Sequence, residues 1–134
     1  MHERELMKIA LEARKNAYAP YSGFKVGAAL LARNGKIYTG CNAEISTYSN
    51  TICAERSAVF KAVSEGERTF EAIAITAGTD DYIYPCGICR QVFAEFCDND
   101  FKIICTNAQH KYEVYTLGEL LPKAFKLKNY NDLL

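Results

Sequence analysis

Two apolar stretches on either side of a turn signal determine how the first half of this chain folds. The runs FKVGAALLAR and KIYTGCN flank Asn34-Gly35, and this dipeptide tolerates the positive φ angles of a tight hairpin turn. The sequence therefore predicts an antiparallel pair of strands over residues 24–42.

Helical and strand-like patterns alternate after this hairpin. In CAERSAVFKAVSEG and CGICRQVFAEFC, apolar residues recur at helical spacing, whereas FEAIAITAG and FKIICTN are short and apolar, like buried strands. Outside the hairpin, the predicted elements are helices over 3–18, 53–66, 86–97 and 117–125 and strands over 70–78, 101–107 and 111–116. This order predicts an α/β fold, a three-layer α-β-α sandwich around a mixed five-stranded sheet.

Size and charge narrow the range of functions. We expect residues 1–134 to form a single domain, which is long enough to bury about two thirds of the surface of the unfolded chain. Sixteen basic and sixteen acidic residues balance, so we expect no nucleic acid partner. No stretch approaches the roughly 20 apolar residues of a membrane span, and the N-terminus lacks the apolar core of a signal peptide. We therefore expect a cytoplasmic protein that does not bind membranes.

The tail, 126–134, is weakly patterned and is either loose or in contact with a neighbouring subunit.

Six cysteines are present, and in a chain without a secretory signal they are expected to be reduced. Cys86 and Cys89, in PCGIC, are three residues apart at the start of a predicted helix, so both sulfurs can reach one tetrahedral ion. The same pair could instead be a redox dithiol or half of a structural zinc site, because a helix start stabilises thiolates for any of these tasks.

A second cysteine motif favours a catalytic metal site. Cys53 also opens a predicted helix, and Glu55 follows two residues later in CAER. Three thiolates would leave a fourth zinc position open for water, and Glu55, on a different face of the helix, could move that water's proton. Three thiolates also give the site a net negative charge, which Arg56, and Arg90 beside Cys89, are placed to offset.

These motifs, taken together, resemble the zinc nucleoside deaminases, specifically the small homotetrameric cytidine deaminases. The resemblance covers essentially the whole chain. The matching segments, in order, are PYSGFKVGAALL (20–31), GCNAE (40–44), CAERSA (53–58), PCGICRQVFAEF (85–96) and LLPKAF (120–125).

The resemblance implies zinc on Cys53, Cys86 and Cys89, with Glu55 as the proton shuttle. It also implies a set of substrate-binding residues: Asn42 and Glu44 for the ribose hydroxyls, Phe24 beside the base, and Tyr48 and Phe125 in a neighbouring subunit's pocket. The implied reaction is hydrolysis of cytidine and 2'-deoxycytidine to uridine and 2'-deoxyuridine with release of ammonia, in pyrimidine salvage. The loop reads NAEISTY, so Ala43, Ile45 and Ser46 depart from the family's usual pattern.

Several alternatives remain at this stage. A closed structural zinc site would need a fourth donor from Cys41, Cys97, Cys105 or His110. A redox CxxC protein would have no use for the CAE motif. Within the deaminases, the substrate could be a cytosine-like antibiotic or a polynucleotide. The balanced charge offers no evident positive surface for binding a phosphate backbone, which favours a small molecule.

Overall fold

The predicted hairpin is formed by β1 (Gly27–Ala32) and β2 (Ile37–Cys41), which pair antiparallel with Leu31 opposite Ile37. Gly35 has φ of +92° in the turn, and its N–H donates to the carbonyl of Ala32 at 3.0 Å. A positive φ at this position explains the choice of glycine.

The computed structural model describes residues 2–127, and its elements follow the predicted order. Helices and strands beyond the hairpin are α1 (Glu3–Ala13), α2 (Ala54–Ser64), β3 (Phe70–Thr76), α3 (Gly87–Phe96), β4 (Lys102–Thr106), β5 (Tyr112–Thr116) and α4 (Leu117–Leu120). The five strands form one mixed sheet in the order β2-β1-β3-β4-β5. The predicted fold class, a mixed five-stranded sheet between layers of helices, is confirmed.

Each face of the sheet buries its own apolar cluster. On one face, Leu6 and Ala10 of α1 pack against Ala29, Ala74 and Ile104 of the sheet. The other face carries a larger cluster formed by α2, α3 and the strands, with Phe93 and Phe101 completely buried at its centre. The sheet is therefore a rigid platform from which α2 and α3 begin.

The strand directions bring the starts of α2 and α3 to the same edge of the sheet. Both β2 and β3 run antiparallel to β1, and β3 runs parallel to β4. Because β2, β3 and β4 therefore point the same way, α2 and α3 are both crossover helices that start beyond the carboxyl ends of strands. The cysteine motifs that open these two helices must consequently lie close together.

Helix α2 approaches the hairpin through Gly40. A Cβ atom on Gly40 would lie 2.4 Å from the carbonyl oxygen of Ala54 and 2.5 Å from the N–H of Ala58. These are backbone atoms that cannot turn away, so a side chain at residue 40 would displace the first turn of α2. Gly40 thus sets the position of the helix that carries Cys53 and Glu55.

Two helices are shorter than predicted. The regular part of α1 ends at Ala13 and continues only as a 3-10 turn over Arg14–Asn16. Helix α4 ends at Leu120 because Pro122 cannot extend the hydrogen bonding of a helix. Among the described helices, none is both long enough and apolar enough to cross a membrane. Residues 128–134 of the tail lie outside the described part of the chain.

Candidate metal and active site

Three cysteines occupy equivalent positions at the starts of α2 and α3. Cys53 is the residue that precedes α2, and Cys86 is the residue that precedes α3. Cys89 lies in the first turn of α3, where its N–H donates to the Cys86 sulfur at 3.5 Å. The positive ends of both helices therefore face the sulfurs and favour their thiolate forms.

The three sulfurs form a compact triangle. The Cys53 and Cys86 sulfurs are 3.8 Å apart, the Cys86 and Cys89 sulfurs are 3.4 Å apart, and all three lie within 4.8 Å of one another. Sulfurs about 2.3 Å from a tetrahedral zinc ion are separated by about 3.8 Å. The donor set and its dimensions therefore fit zinc, and the sulfurs are positioned to hold it.

The remaining cysteines are separate from this triangle. Cys41, Cys97 and Cys105 are free thiols, and within residues 2–127 only Cys53, Cys86 and Cys89 form a metal-binding group. Burial raises the pKa of both Cys97 and Cys105 to about 12, so these thiols stay protonated as small apolar residues. This arrangement does not support the closed four-donor site considered above.

Without a metal, the three thiols cannot all ionise. The hydrogen bond from Cys89, assisted by Arg56, lowers the pKa of Cys53 to about 5 despite the opposing effect of burial. The same hydrogen bond and its burial raise the pKa of Cys89. A cation is therefore needed to hold three thiolates at this spacing, which is the charge that zinc supplies.

Glu55 lies beside the sulfur triangle and is only 4% exposed. Burial, with a smaller effect from the nearby Cys53 thiolate, raises the pKa of Glu55 to about 7. Burying an ionised carboxylate is costly unless cations lie near it, so a metal ion bound by the three sulfurs would favour the ionised form of Glu55. Glu55 is thus held where it can exchange a proton with a group on the metal.

Arg56, in the first turn of α2, contacts the sulfur of Cys53. Its Nη2 donates to the Cys53 sulfur at 3.3 Å, while its buried Nε has no hydrogen-bond partner among the described residues. A buried donor without a partner, on a guanidinium that contacts a cysteine sulfur, is consistent with a site built to carry more negative charge than three thiols do.

Arg90 does not contact a sulfur through any hydrogen bond in the described structure. Its Nε donates to the carbonyl of Pro85 and its Nη1 to the carbonyl of Leu120, each at 2.8 Å. These two bonds tie the residue before Cys86 to the last residue of α4. That Arg90 offsets thiolate charge stays a prediction.

The amide of Asn42 holds the backbone around Phe24. Its Oδ1 accepts from the N–H of Val26 and its Nδ2 donates to the carbonyl of Phe24, both at 2.8 Å. Asn42 is 8% exposed, while the Phe24 ring is 44% exposed. One amide proton of Asn42 remains available to a ligand.

Glu44 faces an open cavity of about 360 Å³ lined by Tyr21, Ser22, Tyr48 and Thr51. Its Oε1 accepts from the N–H groups of Tyr21 and Ser22 at 3.0 Å, and its Oε2 accepts from the Ser22 hydroxyl. The bonds from Ser22 hold the pKa of Glu44 below its ordinary value, so it is a carboxylate. Ser22 was missed by the sequence analysis, although it lies within the PYSGFKVG segment.

A backbone bridge connects the Asn42–Glu44 segment to the cysteine triangle. Ala43 and Ile52 exchange both of their backbone hydrogen bonds, at 3.1 and 3.0 Å. Ala43 lies between Asn42 and Glu44, and Ile52 immediately precedes Cys53. The backbone that carries Asn42 and Glu44 is therefore fastened directly beside the backbone that leads into Cys53.

Tyr48 and Phe125 are the most exposed of the predicted site residues. The Tyr48 side chain is 68% exposed, has φ of +48°, and stacks edge-on against Tyr21 with 5.6 Å between ring centres. Phe125 is 69% exposed and lines a separate apolar groove with Phe60 and Ile88. Within one chain, Phe125 does not join the residues around Glu44.

Comparison with known proteins agrees with this geometry. Residues 1–105 match the family model described as the cytidine and deoxycytidylate deaminase zinc-binding region. A cytidine deaminase from Sporosarcina psychrophila is 52% identical over 125 residues, covering 93% of this chain and 92% of that protein. A cytidine deaminase from Halalkalibacterium halodurans is 48% identical over 132 residues, covering 98% of this chain and 100% of that protein. The crystal structure of a cytidine deaminase from Burkholderia pseudomallei superposes with a TM-score of 0.90 at 46% identity, covering 93% of this chain and all of that chain.

Proposed function

The chain belongs to the family of zinc-dependent cytidine and deoxycytidylate deaminases, and we propose that residues 1–134 form one catalytic domain that hydrolyses cytidine and 2'-deoxycytidine. Zinc-dependent deamination of cytidine follows from the family. The extension to 2'-deoxycytidine and the assignment of individual residues are our proposals. The observation that carries them is the triangle of Cys53, Cys86 and Cys89 with the buried Glu55 beside it.

Glu55 is the proton carrier in the proposed reaction. When held by the three thiolates, zinc would supply a polarised water as the nucleophile for C4 of the pyrimidine ring. Glu55 accepts a proton from that water and delivers it to N3. It then moves a second proton from the new hydroxyl group to the amino group, which leaves as ammonia and gives uridine. Arg56 donates to the Cys53 sulfur and draws negative charge away from the metal.

The segment around Asn42 recognises the nucleoside in this proposal. Phe24 packs beside the base, while Asn42 and Glu44 bind the sugar hydroxyls. Their chemistry supports this role, because Glu44 is an ionised acceptor and Asn42 retains one free N–H donor. The bridge between Ala43 and Ile52 keeps the sugar-binding residues at a fixed distance from Cys53.

Ammonia release measured side by side on cytidine, 2'-deoxycytidine, free cytosine and cytidine monophosphate tests this function. We expect both nucleosides to be deaminated and the base and the nucleotide to react far more slowly. Failure of the zinc-loaded protein on both nucleosides would overturn the proposal. Activity on another cytosine-like compound alone would then indicate a different small-molecule deaminase.

We also propose that the protein is a homotetramer in which neighbouring subunits complete each active site. The support is an open apolar groove of about 550 Å³ on the outer face of α2 and α3. Phe60, Ile88, Phe125 and Leu127 line it and are between 45% and 69% exposed. Exposed apolar side chains in one groove are typical of a surface that another subunit covers. Phe125 and Tyr48 are then available to a neighbour's pocket.

Mixing two defective variants tests whether Phe125 acts on a neighbouring site. Phe125→Ala alone should lower kcat/KM for cytidine about 10-fold or more, since an aromatic contact with the ligand is lost. Glu55→Gln chains retain Phe125 but cannot turn over. In hybrid tetramers, co-expressed with two tags and containing equal numbers of the two chains, only the Phe125→Ala chains carry Glu55. If Phe125 acts only within its own chain, the hybrid should have half the activity of the Phe125→Ala tetramer. If Phe125 of a Glu55→Gln chain completes a neighbour's site, the hybrid should be several-fold more active than that.

A cytoplasmic location and a role in pyrimidine salvage complete the proposal. All six cysteines are free thiols in the described structure, with three sulfurs only 3.4 to 3.8 Å from a neighbour. Such a cluster is suited to a reducing compartment. Conversion of a free nucleoside to uridine returns the base and sugar to nucleotide synthesis.

A further inference from the structure

The segment that leads to Cys86 has no regular secondary structure of its own. Residues 82–86 lie between β3 and α3 without helix or strand, and the Cys86 thiol at their end is exposed. Cys86 is thus the most accessible member of the sulfur triangle. On one side Cys86 is held by α3, where its carbonyl accepts from the Arg90 N–H at 3.0 Å. On the other side its position depends on the contacts that hold residues 82–85 against the sheet.

Side chains of β5 hold the segment at Tyr84. The Tyr84 hydroxyl donates to Oε1 of Glu113 at 2.8 Å, and the Tyr115 hydroxyl donates to the same oxygen at 2.9 Å. The two tyrosine rings meet edge-on, with 6.0 Å between their centres. Hydrogen bonds to a carboxylate are stronger than bonds between neutral groups. We call the contact between Tyr84 and Glu113 the β5 clamp.

The residues on either side of Tyr84 are held by backbone contacts. The Ile83 N–H donates to the carbonyl of Thr106 at 3.3 Å, and the Pro85 carbonyl accepts from Arg90 at 2.8 Å. The three residues before Cys86 are therefore fastened to β4, β5 and α3 in turn. The β5 clamp is the one of these three contacts made between two side chains, so it can be removed without changing a backbone group.

We propose that Tyr84 and Glu113 are positioning residues that hold Cys86 on the zinc ion and thereby slow zinc release. This inference rests on the zinc site of the proposed function. Zinc leaves a three-cysteine site when one ligand swings away, and the exposed Cys86 is the ligand with the most freedom to do so. The β5 clamp restricts that movement from two residues away. Groups that hydrogen-bond a metal ligand directly affect metal affinity about 10- to 100-fold, and for a contact two residues from the ligand we expect the lower end of this range.

The test is the rate at which the zinc-loaded protein transfers zinc to an excess of a chromogenic chelator, 4-(2-pyridylazo)resorcinol. Tyr84→Phe removes the hydroxyl and keeps the ring, and we expect about 10-fold faster zinc release. Glu113→Ala removes the acceptor and should have the same effect, which provides the test if Tyr84→Phe fails to fold. Thermal unfolding of each apo variant shows whether the fold has been weakened as a whole.

Two matched variants control for the loss of a phenol hydroxyl. Tyr115→Phe loses a bond to the same Glu113 oxygen, but that bond lies within β5 and does not fasten the segment before Cys86. Tyr82→Phe loses a hydroxyl from the same segment that has no hydrogen bond among the described residues. Both should release zinc at the wild-type rate.

Two outcomes would overturn the proposed role of the β5 clamp. One is a rate of zinc release that is unchanged in both Tyr84→Phe and Glu113→Ala. The other is zinc release from Tyr115→Phe that is as fast as from Tyr84→Phe. A wild-type protein that carries no zinc would be a different result. It would contradict the zinc site itself and the proposed function.

Discussion

Glu55→Gln is expected to leave one zinc ion bound per chain and to lower the rate of cytidine deamination by about 10²- to 10⁴-fold. Glutamine has nearly the same shape as glutamate but cannot accept and return a proton. Glu55 is 4% exposed beside the sulfur triangle and is not one of the three sulfur donors. The substitution therefore removes the proposed proton carrier and leaves the metal ligands in place.

Glu65→Gln provides a matched control for this variant. Glu65 immediately follows α2, is exposed, and lies at the opposite end of the helix from Glu55. The same substitution there should keep both zinc and wild-type kcat. The measurements are ammonia release under saturating cytidine and zinc content by elemental analysis. Ammonia release by Glu55→Gln at a rate near that of wild type would remove Glu55 from the reaction.

Cys89→Ser should abolish both zinc binding and activity. Cys89 is completely buried, and its sulfur faces those of Cys53 and Cys86. A serine hydroxyl is a poor zinc ligand at neutral pH because it keeps its proton, whereas the thiolate is negatively charged. The loss of affinity should exceed the roughly 10- to 100-fold that follows removal of a group outside the ligand shell. Zinc content after dialysis measures it.

The other cysteines serve as controls for Cys89→Ser. Cys41→Ala, Cys97→Ala and Cys105→Ala, made one at a time, should each retain one zinc ion per chain, because these thiols lie outside the triangle. Complete loss of zinc from any of them would reveal a fourth sulfur ligand. The site would then be closed and could not admit a catalytic water.

The architecture could be predicted from local sequence patterns because each pattern is typical of one kind of secondary structure or turn. Asn34-Gly35 between apolar runs specifies a hairpin, and alternating helical and strand-like stretches specify crossovers that cover both faces of a mixed sheet. The ends of the helices were less predictable. Apolar residues continue beyond Ala13 and Leu120, but the chain leaves the helix at both points.

Within the site, spacing predicted those contacts that depend on a single helix turn. Arg56 is three residues after Cys53, so its guanidinium returns to that sulfur. The contacts of Arg90 could not be predicted this way, because one of its acceptors, the carbonyl of Leu120, lies thirty residues further along the chain. Pairing between distant backbone segments, such as Ala43 with Ile52, likewise has no local signal.

The role of Phe125 depends on a second subunit in the proposed tetramer. Its motif matches a substrate-binding residue, yet its side chain lines a groove apart from the cavity at Glu44. In the structure of a single chain, the only sign of a contact with a second subunit is an exposed apolar surface. Phe60, Ile88 and Phe125 form such a surface.

In the proposed site, three cysteines hold zinc and leave its fourth position open for chemistry. X-ray absorption at the zinc edge of the purified, zinc-loaded protein counts the ligands of the metal. We expect three sulfurs at about 2.3 Å and one oxygen or nitrogen at about 2.0 Å. Four sulfurs would rule out an open site, because a closed site would leave Glu55 with no water to deprotonate.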